Sequence, residues 1–190
     1  MVRVLLVRHA PTAATLRGAF PGDEPLEPDG RAAAAALRDI LPKADRVLSS
    51  PARRCRETAA AAGLEPELDP RLAECDFGDW TGRTLAEIEP DVVAEWLADR
   101  TVRHHGGESL AAFGERVTSW LQDAGAHRPG CTVAFTHAGV IKAAVVHVLG
   151  GPPVAYWRIH HAPLAITELR RYDEGWSVAC VNSPAEAMAE

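Results

Sequence analysis

Only four cysteines occur in the 190 residues, at Cys55, Cys75, Cys131 and Cys180, and no two form a C-x-x-C pair. That excludes a disulfide framework or a structural zinc site, and the four read as reduced, mostly buried thiols. Basic runs are equally scarce. None is longer than Arg53-Arg54 with its neighbour Arg56, and the net charge is -6, so the footprint expected for nucleic acid or an anionic membrane is missing. The opening apolar run is interrupted by Arg3 and ended by Arg8, too short for a signal segment or a membrane span, and a cytoplasmic protein is expected. There is no P-loop, dinucleotide fingerprint or internal repeat. His104-His105 and His160-His161 have neither H-E-x-x-H spacing nor a neighbouring carboxylate cluster, so no metal site is expected.

What is present is enough apolar material for one core. Hydrophobic residues make up 47% of the chain, and the length suits a single domain over residues 1–190. Residues 3–7 read as a buried strand that stops at the polar pair Arg8-His9. Pro11, Pro21, Gly22, Pro25 and Pro28 then make a loop, and Asp29-Gly30 opens an alanine-rich helix to about residue 41. Residues 46–48 form a second strand, followed by a helix to about residue 62 with Ser50 as its cap and Pro51 as its first residue.

Residues 72–82 lack a sustained period and read as an ordered loop, and helical patterns resume over 85–98. After Gly106-Gly107, a helix over 109–124 places Leu110, Phe113, Val117, Trp120 and Leu121 on one face. Residues 131–135 are the clearest central strand, ended by Thr136-His137, and Gly139 opens the next helix. Residues 165–169 and 176–181, around Asp173-Glu174-Gly175, make a β-hairpin whose free edge is one surface for pairing with a second chain. The pattern specifies an α/β fold, a three-layer α/β/α sandwich with a mostly parallel central sheet and an antiparallel edge hairpin. It assigns no oligomeric state.

Ligands of such sheets bind beyond the carboxyl ends of the strands, where Arg8-His9 and Thr136-His137 both fall. Arg8, directly after the four apolar residues Val4 to Val7, is a costly charge at the rim of a core unless an anion or carboxylate meets it, and guanidinium matches phosphate bidentately. A second arginine lies in the first turn of the helix after Ser50-Pro51, where the macrodipole disfavours a cation. An anion there would offset that penalty. The apolar stripe Ala52, Cys55, Ala59, Ala62 leaves Arg53 and Arg54 on different flanks and does not choose between them.

Four separated segments, LLVRHAPT, SSPARRCRETA, RLAECDFGDWTG and FTHAGVIKA, together with GGES at residues 106–109 and the terminal hairpin, resemble the histidine phosphatase superfamily with its phosphoglycerate mutase-like fold. The resemblance spans residues 4 to about 182. It implies His9 as the nucleophile, Arg8 as its phosphate-binding neighbour, Arg54 rather than Arg53 as the second arginine, and Glu74 as the proton donor, with Asp76 and Asp79 as nearby competitors. It implies His137 as the second histidine, expected to be charged and to hold phosphate oxygens with the two guanidiniums. No metal or cofactor is then required.

Helix N-terminal geometry adds the amide of Ala138 or Gly139 as a phosphate donor. The family's glycine after the histidine is Ala10 here, the commonly following glutamate is Pro11, and a frequent asparagine is Thr15, whose hydroxyl can still bind substrate. These departures favour a phosphatase over a phosphoglycerate mutase. The expected activity is hydrolysis of a small intracellular phosphomonoester, among sugar phosphates, nucleotides and α-ribazole phosphate, with no nucleic-acid or membrane partner. The rivals are mutase-type transfer, a phospho-ligand binding module without turnover, and a regulator that removes phosphate from phosphohistidine on proteins, which turns on whether residues 85–108 form a lid.

Overall fold

The computed structural model describes residues 1–126 and 129–185. Its elements run β1 (Val2–Arg8), α1 (Ala13–Arg17), α2 (Pro28–Ala35), α3 (Leu37–Ile40), β2 (Arg46–Ser49), α4 (Arg53–Ala61) and β3 (Glu67–Leu68). They continue α5 (Pro90–Ala98), α6 (Leu110–Ala126), β4 (Gly130–Thr136), α7 (Ala138–Val148), β5 (Ile166–Tyr172) and β6 (Gly175–Ser183). One six-stranded sheet has the order β3-β2-β4-β1-β5-β6. The pairs β1–β4, β2–β4 and β2–β3 are parallel, while β1–β5 and β5–β6 are antiparallel. The α/β sandwich with its edge hairpin is therefore the observed fold.

The two faces of the sheet follow from the alternation of side chains along a strand. Val4 and Leu6 of β1 and Ala134 of β4 pack on one face with Phe113, Val117, Trp120 and Leu121 of α6 and Val140, Ile141 and Ala144 of α7. Leu5, Val7, Val133 and Phe135 face the other way, against Leu37 of α3 and Cys55 and Ala59 of α4. Every inward position of β1 and β4 is thus covered, as parallel central strands require.

Several local expectations change in physical detail. The alanine-rich helix starts at Pro28, which needs no backbone N–H in the first turn, and it breaks near Ala36 into the short α3. The pattern over 85–98 divides into a 3-10 turn (Leu85–Glu87) and α5, because Pro90 pushes its predecessor out of helical geometry and can only begin a helix. The helix after β2 begins at Arg53 rather than Pro51, and its cap position is Ala52. Strand β3 was too short and too polar to read from pattern. Residues 72–82 carry a 3-10 turn (Gly78–Trp80) inside an otherwise irregular loop. Among the described residues, no helix is long and apolar enough to cross a membrane.

Candidate active site

The two central strands end side by side, with Arg8 in register with Thr136 and the His9 amide donating to the Thr136 carbonyl at 2.9 Å. This brings His9 and His137 together from 128 residues apart, their ring centroids 5.3 Å apart and near edge-on. Above them lies a cleft of about 280 Å³ lined by Arg8, His9, Thr15, Glu74 and Ala138, with the remaining wall mostly apolar. Arg54 and His137 are fully buried and sit behind His9 instead of on the cleft wall.

His9 is 5% exposed, and its Nδ1 lies 2.7 Å from the Ala10 carbonyl oxygen. A carbonyl only accepts, so Nδ1 carries the hydrogen and Nε2 carries the lone pair. Burial, and then the Arg54 and Arg8 charges, push the His9 pKa down to about 3, so the ring is neutral through the ordinary pH range. Ala10 is itself fully buried, and its amide donates to the Thr58 hydroxyl at 3.0 Å. The backbone at Ala10 is not in the left-handed region, so alanine is accommodated at the position where the family resemblance implies glycine.

Arg54 lies on the buried flank of α4, while Arg53 is exposed and pairs with Glu57 one turn on. Its Nη1 donates to the Gly22 carbonyl at 2.5 Å, and Nε and Nη2 reach His137 Nδ1 at 3.3 and 3.1 Å. A guanidinium cannot accept, so His137 Nδ1 holds a lone pair and Nε2–H donates to the Ser50 hydroxyl at 2.8 Å. Burial, with Arg54 next, holds the His137 pKa well below its ordinary value. The expectation of a charged His137 is therefore corrected: it is a neutral ring with both nitrogens engaged inside the protein. The same contact explains why Ser50 is not a simple cap, since its hydroxyl serves His137 as well as the Ala52 amide.

Arg8 is half-buried and donates through Nη1 to the His161 carbonyl, while its Nε is buried with no acceptor. Desolvation lowers its pKa. Glu74 reaches the cleft, whereas Asp76 and Asp79 are exposed and form no part of its wall. One Glu74 oxygen accepts from the Cys75 amide at 3.1 Å and the other from the Gly139 amide at 3.2 Å. A Cβ at Gly139 would stand 2.0 Å from Glu74 Oε1, so only glycine lets the carboxylate rest on the first turn of α7. The expected use of the Gly139 amide as a phosphate donor is thus corrected, because Glu74 takes it. Ala138 lines the cleft, as does Thr15, whose hydroxyl is 3.1 Å from that of Thr12.

The loop that carries Glu74 is held by residues the sequence reading passed over. Arg116 of α6 grips both oxygens of Glu108 at 2.9 and 2.6 Å and donates to the carbonyls of Arg71 and Ala73 at 2.8 and 2.9 Å. An arginine flanking the helical apolar stripe next to the G-G-E-S segment was the available signal. Ser50, Thr58, Phe20 and Phe77 were missed for a different reason: only tertiary proximity gives them a role. Of residues 85–108, Leu85 alone lines the cleft, and Trp96 and His105 anchor the segment among Phe20, Phe77 and Trp80. The histidine pairs diverge: His104 meets Glu95 and His160 is exposed, while His105 and His161 are buried. Among the described residues, no group of three or more histidine, cysteine or acidic side chains is placed to hold a metal ion.

The family model described as the histidine phosphatase superfamily (branch 1) matches residues 4–184. A glucosyl-3-phosphoglycerate phosphatase of Mycobacterium tuberculosis is 34% identical over 82% of this chain and 78% of its own length. An adenosylcobalamin/alpha-ribazole phosphatase of Salmonella typhimurium is 30% identical over 82% of this chain and 84% of its own. Among solved structures, a mutant phosphoserine phosphatase of Entamoeba histolytica in complex with phosphoserine superimposes with a TM-score of 0.87 at 26% identity, covering 96% of this chain and 98% of that one.

Proposed function

The chain belongs to the histidine phosphatase superfamily (branch 1), and from that premise we propose that it hydrolyses the phosphomonoester of a small cytoplasmic metabolite through a phosphohistidine at His9. The observation that carries the reading is the tautomer of His9. Its Nδ1–H is fixed on the Ala10 carbonyl, which leaves the Nε2 lone pair on a neutral ring at the edge of a cleft shared with Arg8 and Glu74. The phosphatase names of the relatives support hydrolysis over mutase transfer.

In the first step Nε2 forms a bond to phosphorus, and the bond from phosphorus to the leaving oxygen breaks with its electron pair on that oxygen. Glu74, in its acid form, supplies the proton that makes an alkoxide leave as an alcohol. In the second step water attacks phosphorus, its proton passes to the Glu74 carboxylate, and the P–N pair returns to Nε2, releasing inorganic phosphate. Arg8 meets the phosphoryl oxygens in the cleft, and the desolvated Arg54 guanidinium behind His9 opposes the growing negative charge in a water-poor setting. His137 holds Arg54 through Nδ1, the side of the ring that only a neutral imidazole leaves open. Positive charge thus comes from guanidiniums, and the chemistry runs without a metal.

Glu74→Gln tests the proton donor. An alkyl phosphate needs the proton and should lose about 10²-fold or more in kcat/KM, which reports the bond-breaking step, whereas p-nitrophenyl phosphate, whose leaving phenolate is already stable, should lose several-fold less. Steady-state rates on both esters check this. Equal losses would remove Glu74 from the role.

A further inference from the structure

The wall of the cleft beyond the phosphoryl position is built from Ala14, Ala19, Phe20, Pro21, Phe77 and Leu85. Phe20 and Phe77 lie 4.6 Å apart by ring centroid, and Phe20 also meets Trp80 at 5.4 Å, so this wall is the outer layer of a packed aromatic cluster. Among the described residues lining the cleft, Arg8 is the one cation, and the phosphoryl group requires it. The nearby cations point elsewhere. Arg17 donates to the Gly82 carbonyl at 2.8 Å, Arg83 donates to the Glu87 carbonyl, and Lys142 holds its Nζ 5.3 Å over the Tyr156 ring.

A carboxylate or second phosphate on the substrate would therefore lie against phenylalanine, proline and leucine, with the neutral Thr15 hydroxyl as the side-chain donor there and no cation beyond Arg8 to meet it. An uncharged ring would find edges and faces of two phenylalanines and bury apolar area. We propose that the substrate is a monophosphate ester of an uncharged, ring-bearing alcohol, and that this cleft disfavours phosphorylated carboxylic acids. The proposal rests on the phosphatase reading above and deepens it into a substrate class. It separates this chain from the relative named for phosphoserine and from the one named for glucosyl-3-phosphoglycerate, whose substrates carry a carboxylate.

Purified protein is assayed for kcat/KM on 2-phenylethyl phosphate, O-phosphoserine and 3-phosphoglycerate, three primary alkyl esters, so that leaving ability does not favour the aromatic one. The expected result is a preference of at least about tenfold for 2-phenylethyl phosphate, since a site without a partner for a charge rejects it strongly. Leu85→Lys, at a position 45% exposed and so tolerant of a polar side chain, should narrow the gap to 3-phosphoglycerate by raising its kcat/KM. A gap under tenfold, a reversed preference, or a gap that Leu85→Lys leaves unchanged overturns the proposal. p-Nitrophenyl phosphate distinguishes the two levels. Its hydrolysis, lost in His9→Ala, upholds the phosphatase reading even where the selectivity fails, and no hydrolysis of any ester sinks both.

Discussion

His9→Ala lowers kcat for every phosphomonoester by about 10⁴-fold or more, because it removes the atom that forms the covalent bond and leaves only the binding and electrostatic parts of the site. The size of the loss is informative. A histidine that merely oriented phosphate would cost about 10² to 10³, the range seen when a single stabilising donor is deleted. The fold should survive, since the His9 side chain makes one internal hydrogen bond, to the adjacent Ala10 carbonyl, and the neighbouring backbone bonds to Thr136 and Thr58 do not involve it. An unchanged thermal melt with a collapsed kcat is the expected pair of readings on phosphate release at neutral pH. A rate within about tenfold of wild type would remove His9 from the chemistry.

Acid should destabilise this protein steeply, chiefly through three buried neutral imidazoles, to which buried His105, its pKa also lowered by burial, adds. His9 has its pKa pushed down to about 3 and His161 to about 4, while His137 lies well below the ordinary value, in each case chiefly through burial. In the unfolded chain all three titrate near pH 6.5. Their folded values are depressed, so between those limits the unfolded state binds more protons, and stability falls as pH falls. Full stability from these groups is present above about pH 6.5, and each imidazole removes up to about 1.4 kcal/mol per pH unit below it.

Three together give a slope approaching about 4 kcal/mol per unit, against a total stability of about 5 to 15 kcal/mol for a typical domain. Melting temperature should fall by about 10 °C or more between pH 7 and pH 5. His161→Asn should flatten that dependence by about a third, because the ring is buried, bonded to Thr167, and outside the cleft. A melting temperature that stays level over the same range would contradict the neutral assignments.

The fold was largely legible because its strongest signals are local. An unbroken apolar run followed by Arg8-His9 marks a central parallel strand covered on both faces, and the 109–124 periodicity marks the long helix that covers one of them. The reactive ends of β1 and β4 were readable for the same reason: the side-chain type changes abruptly where each strand leaves the core. Three details were not legible in the local pattern, although the resemblance already implied the first, and each has a tertiary cause. Arg53 and Arg54 sit on adjacent flanks of a helix, and only its packing against the sheet decides which one is buried. The charge of His137 depends on Arg54 and Ser50 occupying its two nitrogens, 83 and 87 residues away in sequence. The Gly139 amide faces Glu74 because the Arg116–Glu108 clamp delivers that loop to the start of α7, a contact among segments with no local pattern in common.

The cleft itself divides the site into two layers. Arg8, His9, Glu74, Thr15 and Ala138 line the cleft, while Arg54 and His137 are buried away from its wall and, in the proposed mechanism, act from behind His9. Burial makes the rear layer electrostatically strong, since a guanidinium in a poorly hydrated setting acts over a longer range than one in water. In the proposed mechanism it also leaves His9 ready to attack without a general base. Burial first, and then the Arg54 and Arg8 charges that the mechanism turns toward the phosphoryl group, keep a proton off His9.

The most direct test of the account is to catch the phosphoryl group on the enzyme. Wild-type protein is mixed with a phosphate-labelled monoester in the presence of a chelator, quenched in alkali within the first turnover, digested, and searched for label. Phosphohistidine on the peptide containing His9, absent in His9→Ala and formed equally well with the chelator, is the result predicted. Label on another residue, or phosphate release in a single step with no covalent species while the chelator abolishes turnover, would contradict it.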